Sequence, residues 1–381
     1  MDSLRAQSGD PRHAMKTDIL CANPRRQFSA QSDEISQAIM QVLNSDSYIL
    51  GSEVEKFEEE FAKYIGTSHC IGLNSGTDAL ILSLRALGIA SGDEVITPSH
   101  TAVATISAIV SCGATPVFVD IDPVSFTINP DLVNEAVTSR TKAIVAVHLY
   151  GHPCDMDALQ QIVTKCGIYL IEDCAQAHGA EWRGRKVGTF GSVGCFSFYP
   201  TKNLGAIGDG GAVVTKDPTI ADRIRRLRQY GWDSNRLSQE PSGVSRLDEI
   251  QAAILRVKLP KLDGNNEKRR EIARAYSTRL QNCSAVVPVA NIAAKHVYHL
   301  FVVQVEKRDD TIHHLNQQGI FPGIHYRVPV HLQPSYQSLP SSNSAALPVT
   351  ERLAKTILSL PMFPELDDSE IEKVCEEMLY V

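Results

Sequence analysis

Residues 191–215 read GSVGCFSFYPTKNLGAIGDGGAVVT. An apolar run, Val193 to Phe198, feeds into Lys202 and a glycine-rich turn, and a second apolar run, Ala212 to Thr215, follows. Short continuous apolar runs of this kind read as strands buried on both faces. A lysine at the mouth of such a strand is partly desolvated. Burial disfavours its ammonium form, and the neutral amine is the nucleophile that makes a Schiff base with an aldehyde. Residues 169–180, YLIEDCAQAHGA, repeat the build with a different ending: an apolar strand that closes on an acid, Asp173. Either residue alone is ordinary, a solvated lysine or a strand-end carboxylate. Together they are an acid able to pair with a pyridinium nitrogen and an amine able to hold an aldehyde carbon. That pair points to pyridoxal 5'-phosphate, whose ring serves as an electron sink.

A third segment, residues 70–88, CIGLNSGTDALILSLRALG, supplies what a phosphate needs. The apolar run Cys70 to Leu73 is followed by Asn74, Ser75, Gly76 and Thr77 and then by the helical pattern Leu80, Leu84, Leu87. Strand, small polar turn and helix point free amides and a hydroxyl at an anion, and the helix dipole adds attraction. An ordinary helix cap explains the same residues when they stand alone. Beside Asp173 and Lys202 they read as the phosphate cup of the same cofactor.

Outward from these motifs the chain alternates short apolar runs with helix-like stretches: Glu94 to Thr97, Pro116 to Val119, Ala143 to Val147 and Tyr169 to Glu172 are strand candidates. Ile35 to Leu43 and Val54 to Tyr64 read as amphipathic helices around the turn SYILGSEV. The alternation predicts an α/β fold with a mostly parallel sheet covered on both faces, and ligand groups at the carboxyl ends of its strands. A long helical stretch, Arg246 to Leu280, leads to a smaller α+β unit. The expected division is a polar tail at 1–16, a large cofactor-binding domain at 17–255, and a linking helix with a small C-terminal domain at 256–381.

The chain has 381 residues, 43% of them hydrophobic, enough for a large core. Its net charge of −7 gives no basic footprint for nucleic acid. Nine cysteines without a C-x-x-C or a Cys/His cluster at metal spacing fit free thiols in a reducing compartment, with no metal expected. No apolar leader or membrane-length stretch is legible, so a cytoplasmic location is expected.

SGTDAL, EDCAQAHGA, FSFYPTKNLGAIGDGG, SRLDEIQAA and GIHYRVPVHLQPSY closely resemble the DegT/DnrJ/EryC1/StrS family of sugar aminotransferases, from about residue 17 to the C-terminus. The resemblance implies a fold-type-I pyridoxal phosphate aminotransferase acting on a nucleotide-linked keto-sugar, with an amino donor such as L-glutamate, and a homodimer with its active site at the interface. YPTKNLGA, KLPKLDGNNEKRREIA and HVYHLFVV look most like the branch that aminates C3 of dTDP-3-keto-6-deoxyhexoses. By the same resemblance Lys202 holds the cofactor and shuttles the proton, and Asp173 keeps the pyridine nitrogen protonated. Gln176 meets the ring's phenolic oxygen or face, and His100 takes the place of an aromatic ring stacked on the cofactor. Ser75, Gly76, Thr77 and Ser197 hold the phosphate, while Tyr48, His325 and Tyr326 face the substrate. His178 is expected to make structural hydrogen bonds, and the cysteines, Cys174 included, to pack in the core.

Two residues depart from the family pattern. Val244, in GVSRLDE, stands where relatives have an asparagine that reaches a partner subunit's cofactor phosphate. Arg327 stands where relatives of this branch tend to have proline. Other functions that fit the fold are amination at C4, a dehydratase whose lysine is replaced by histidine (this chain keeps Lys202), and a regulator or partner subunit that retains the fold.

Overall fold

Seven strands form one sheet in the computed structural model, which describes residues 18–339, 341 and 346–380. The tail expected at 1–16 lies outside the described residues. In chain order the strands are β1 (His69–Leu73), β2 (Glu94–Pro98), β3 (Thr115–Val119), β4 (Thr141–Val147), β5 (Tyr169–Asp173), β6 (Val193–Ser197) and β7 (Gly211–Thr215). Their order across the sheet is β1-β7-β6-β5-β4-β2-β3. β7 runs antiparallel to both of its neighbours, and all other pairs are parallel. Six strands therefore point one way and deliver their carboxyl ends to one edge.

Alternate residues of each strand feed opposite cores. Ile71, Leu73, Val145, Ile171 and Val213 pack with Leu80 and Leu84 of the helix Gly76–Ala86. On the other face Phe196, Phe198 and Val214 pack with Phe57 and Phe61 of the helix Ser52–Ile65. Phe61 meets Phe196 and Phe198 edge to face, with ring centroids 5.0 and 5.4 Å apart. Such pairs add about 0.5–1.5 kcal/mol beyond the area they bury, so Phe61→Ala is a change of several kcal/mol.

The expected long helix is broken in two. Glu249–Lys258 ends in a 3-10 turn at Leu259–Lys261, and Leu262–Arg279 continues. Pro260 is the cause, since it lacks the N–H that an unbroken helix needs. A further core, away from the large sheet, gathers Tyr276, Phe301, Leu315, Leu358 and Val374 from the helix Leu262–Arg279, the antiparallel pair Phe301–Gln304 with Ile357–Leu360, and the helices Arg308–Gln317 and Asp368–Met378. Ile19 is buried in this core, and Ile19–Leu20 pairs with Ile320–Phe321. The first described residues thus pack with the C-terminal unit, although chain order suggested the large one. Among the described residues no helix is long and apolar enough to cross a membrane.

Candidate active site

The carboxyl edge of the sheet gathers the chemistry. The turn Asn74–Ser75 leaves β1 and starts the helix Gly76–Ala86, and Ser75 Oγ caps it by accepting the Asp78 N–H at 3.1 Å. The first amides of a helix have no carbonyl one turn back to bond, so those of Gly76 and Thr77 are directed at whatever lies beyond the helix end. β7 begins at the same edge because it runs in reverse: Gly211 sits in register between Leu73 and Ser197. The approach is close enough to demand glycine. A Cβ on Gly76 would lie 2.6 Å from Ser197 Cβ, and one on Gly211 would lie 2.3 Å from the Ser75 carbonyl. A cradle of main-chain amides and two serine hydroxyls results, which fits a phosphate group.

Asp173 ends β5 at the centre of this edge. Its Oδ2 accepts the Thr105 hydroxyl at 2.9 Å, and its Oδ1 accepts the Ala175 N–H at 3.1 Å. Burial pushes the carboxyl above its usual value, while Ala175, Thr105 and Lys202 hold it down. Two bonds leave acceptor capacity on a carboxylate, which has about four lone-pair sites. That spare capacity fits a protonated ring nitrogen.

Lys202 lies past β6 on a turn whose amide is fixed to the Tyr199 carbonyl at 2.8 Å. Burial pulls its amine from 10.5 down to about 8, against the opposing pull of Asp173. Three imidazoles sense its charge: burial first and Lys202 second push His178 down to about 3, His325 down to about 4, and His299 well below its usual value. They are neutral at physiological pH, so Asp173 is the countercharge acting on Lys202. The amine is a usable nucleophile near neutrality, as a lysine that holds an aldehyde cofactor needs to be.

The remaining expected residues divide. Gln176 accepts the Tyr150 N–H at 2.7 Å and donates to the Tyr326 hydroxyl at 3.1 Å, which brings Tyr326 to the cofactor side of the pocket. His325 Nδ1 bonds Ser359 Oγ at 2.8 Å. The His100 ring is 1% exposed, packed near Phe126 and bonded to Tyr150 at 2.7 Å. Tyr48 stands apart at 56% exposure, its hydroxyl on the Leu43 carbonyl. Val244 is on the surface, while its neighbour Ser245 is buried and bonds Asn74 at 3.2 Å. Arg327 is exposed and meets Asp309 at 3.3 Å.

His178 is buried, its ring 5.4 Å from Phe196 and within reach of the Ser197 backbone, as a structural role would have it. The nine cysteines are unpaired. Cys174 is drawn into a buried trio with His148 and Glu172. There burial raises the thiol to about 12, and His148 spends Nδ1 on the Cys154 amide at 3.0 Å and Nε2 on Glu172 at 3.1 Å. The trio is knitted by its own hydrogen bonds. Sequence reasoning missed Thr105, Ser99 and Tyr150; Thr105 is one helical turn beyond TPSH, and nothing in the sequence marks it as a partner of Asp173.

Comparison with known proteins agrees with this geometry. Residues 29–379 match the model of the DegT/DnrJ/EryC1/StrS aminotransferase family. The chain is 48% identical over 345 residues to a dTDP-3-amino-3,4,6-trideoxy-alpha-D-glucose transaminase of Streptomyces venezuelae, covering 90% of each chain. It is 48% identical over 342 residues to the erythromycin biosynthesis sensory transduction protein EryC1 of Saccharopolyspora erythraea, covering 90% of this chain and 93% of that one. The solved structure of S. venezuelae DesV in complex with a ketimine intermediate superposes with a TM-score of 0.92 at 45% identity, covering 95% of this chain and 98% of that one. The chain belongs to the DegT/DnrJ/EryC1/StrS aminotransferase family, a family dependent on pyridoxal phosphate.

Proposed function

We propose that this protein moves an amino group from an amino acid, L-glutamate by family resemblance, to C3 of a nucleotide-linked keto-6-deoxy sugar by a ping-pong sequence. The carrying observation is the buried amine of Lys202, lowered to about 8 and coupled to Asp173, at the edge that also holds the backbone cradle of Gly76, Thr77 and Ser197. Pyridoxal phosphate supplies, when bound, an aldehyde that captures amines and a ring that takes up electrons. The chain's residues do the rest. Lys202 holds the cofactor and carries the proton between the two reacting carbons. Asp173 holds a proton on the ring nitrogen, and Thr105 with Ala175 fixes the carboxylate that does so. Ser75, Gly76, Thr77 and Ser197 anchor the phosphate, Gln176 orients the ring, and His325 with Tyr326 borders the sugar.

The choice of C3 rests on the S. venezuelae transaminase, whose named product carries its amino group there. A homodimer is supported by the exposed apolar residues Met40, Leu43, Tyr48 and Ile49, which lie together in sequence; Tyr48 would then serve a partner's site. A cytoplasmic location follows from the biosynthetic role. A regulatory reading is favoured by the sensory name of the S. erythraea relative and by Val244. The test separates them. Purified protein with pyridoxal phosphate, glutamate and a panel of 3-keto and 4-keto nucleotide sugars should release one 2-oxoglutarate per amino sugar formed, with the 3-keto sugars preferred. No amino sugar from any of them overturns the enzymatic reading.

A further inference from the structure

Tyr150 follows β4 in a left-handed backbone conformation, φ 60°, and is buried in the core that also holds Phe126 and Val147. Its hydroxyl touches two groups, the carbonyl of His325 and Nε2 of His100 at 2.7 Å. A carbonyl only accepts, so the hydroxyl donates to His325. Its oxygen must then accept from His100, which fixes the proton of His100 on Nε2. The direction is consistent with a neutral imidazole, since burial lowers His100 to about 4. The Tyr150 N–H meanwhile donates to Gln176, whose amide reaches Tyr326. One residue therefore touches the wall ring His100, the ring-orienting Gln176 and the main chain of the 325–331 segment.

The far end of that segment is pinned independently. The His331 N–H donates to Ser99 Oγ at 3.1 Å, the same hydroxyl shares a hydrogen bond with His331 Nδ1 at 2.7 Å, and the Val330 N–H reaches the Ser99 carbonyl at 3.2 Å. Between the two pins lie Tyr326 to Pro329, held at both ends against the carboxyl edge of the sheet.

We propose that Tyr150 is a positioning residue for the sugar: its hydroxyl latches the His325–Tyr326 main chain to the wall through His100, so that the segment is set before the keto-sugar arrives. This rests on the aminotransferase reading above. A nucleotide sugar spans more of the pocket rim than a free amino acid, so loosening the segment costs the sugar more.

Tyr150→Phe keeps the ring against Phe126, 5.5 Å away, and removes only the hydroxyl. Holoenzyme of this variant is expected to show a rise in KM for the keto-sugar of about tenfold, the worth of one hydrogen bond, while amino-group uptake from glutamate falls at most about threefold. Amide hydrogen exchange of peptides spanning 323–331 should quicken severalfold without any substrate present. His100→Phe, which withdraws the N–H that orients the hydroxyl, should loosen the same peptides and decides the matter if Tyr150→Phe does not fold. An unchanged KM, equal losses in both half-reactions, or unchanged exchange overturns the latch. A wild-type protein that aminates no keto-sugar overturns the aminotransferase reading instead, and the exchange experiment still judges the latch.

Discussion

Glu172 and Asp173 are adjacent acids on β5, and strand geometry sends them to opposite faces of the sheet. Glu172 is wholly enclosed and saturated: it accepts the N–H groups of Gly188, Phe190 and Gly191, each at 2.7 Å, and faces His148. Asp173 takes two bonds and keeps lone pairs in hand. The first acid ties a glycine-containing loop to the sheet. The second is held in place by two bonds and keeps acceptor capacity, which in the proposed function serves the cofactor's ring nitrogen. Two carboxylates side by side in sequence are thus told apart by hydrogen-bond saturation, since a buried charge left short of partners persists only where something is meant to meet it.

The comparison breaks most readily at Lys202, the partner that only Asp173 has. Lys202→Ala removes the proposed anchor and proton carrier together, so turnover should fall by about 10⁴ or more, and the visible band that borohydride abolishes in wild type should be missing. Normal turnover in that variant would end the mechanism. Asp173→Asn keeps the shape and removes the charge on which the ring nitrogen depends. Turnover should drop roughly 10²- to 10³-fold, with cofactor retention affected much less, because the lost interaction grows as the transition state forms. A variant that releases its cofactor but turns over normally contradicts this.

Glu172→Gln tests the other acid. It places an NH₂ among main-chain donors and leaves them unpaired, at a cost of about 3 kcal/mol read by urea unfolding, while activity per folded molecule stays within a few-fold. Wild-type stability with lost activity would mean that the two acids have exchanged roles. A finer probe is pH. Reductive methylation of Lys202 in cofactor-free protein, followed by peptide mass spectrometry, should rise with pH through a midpoint about 8, because only the neutral amine reacts and burial pulls the group down from 10.5. Asp173 raises that midpoint, so Asp173→Asn should move it lower; an upward move refutes the pairing. The smallest effect is expected at Val244. Val244→Asn, or an Asn inserted before Ser245, should tighten pyridoxal phosphate binding about tenfold by adding one charge-assisted hydrogen bond. If neither does, and native protein keeps its cofactor through dialysis, another residue makes that contact.

The sequence by itself determined the sheet and the placing of Asp173 and Lys202 at and just past the ends of its strands. Continuous apolar runs have one good solution, a strand covered on both faces, and the groups at their carboxyl ends follow from that. Lys202, Asp173 and the Ser75–Thr77 turn were legible because each is local to the end of its own strand. The break at Pro260 was written in the sequence too, and helix periodicity on either side obscured it. Only the tertiary structure decided which polar neighbours are complete. Glu172 and Asp173 look alike in the string EDCAQAHGA, and His100 looks like a candidate for stacking. Their partners lie 16, 68 and 50 residues away in the chain: Gly188 for Glu172, Thr105 for Asp173 and Tyr150 for His100. Saturation of a buried group is a property of all the segments that meet there, and no local pattern encodes it.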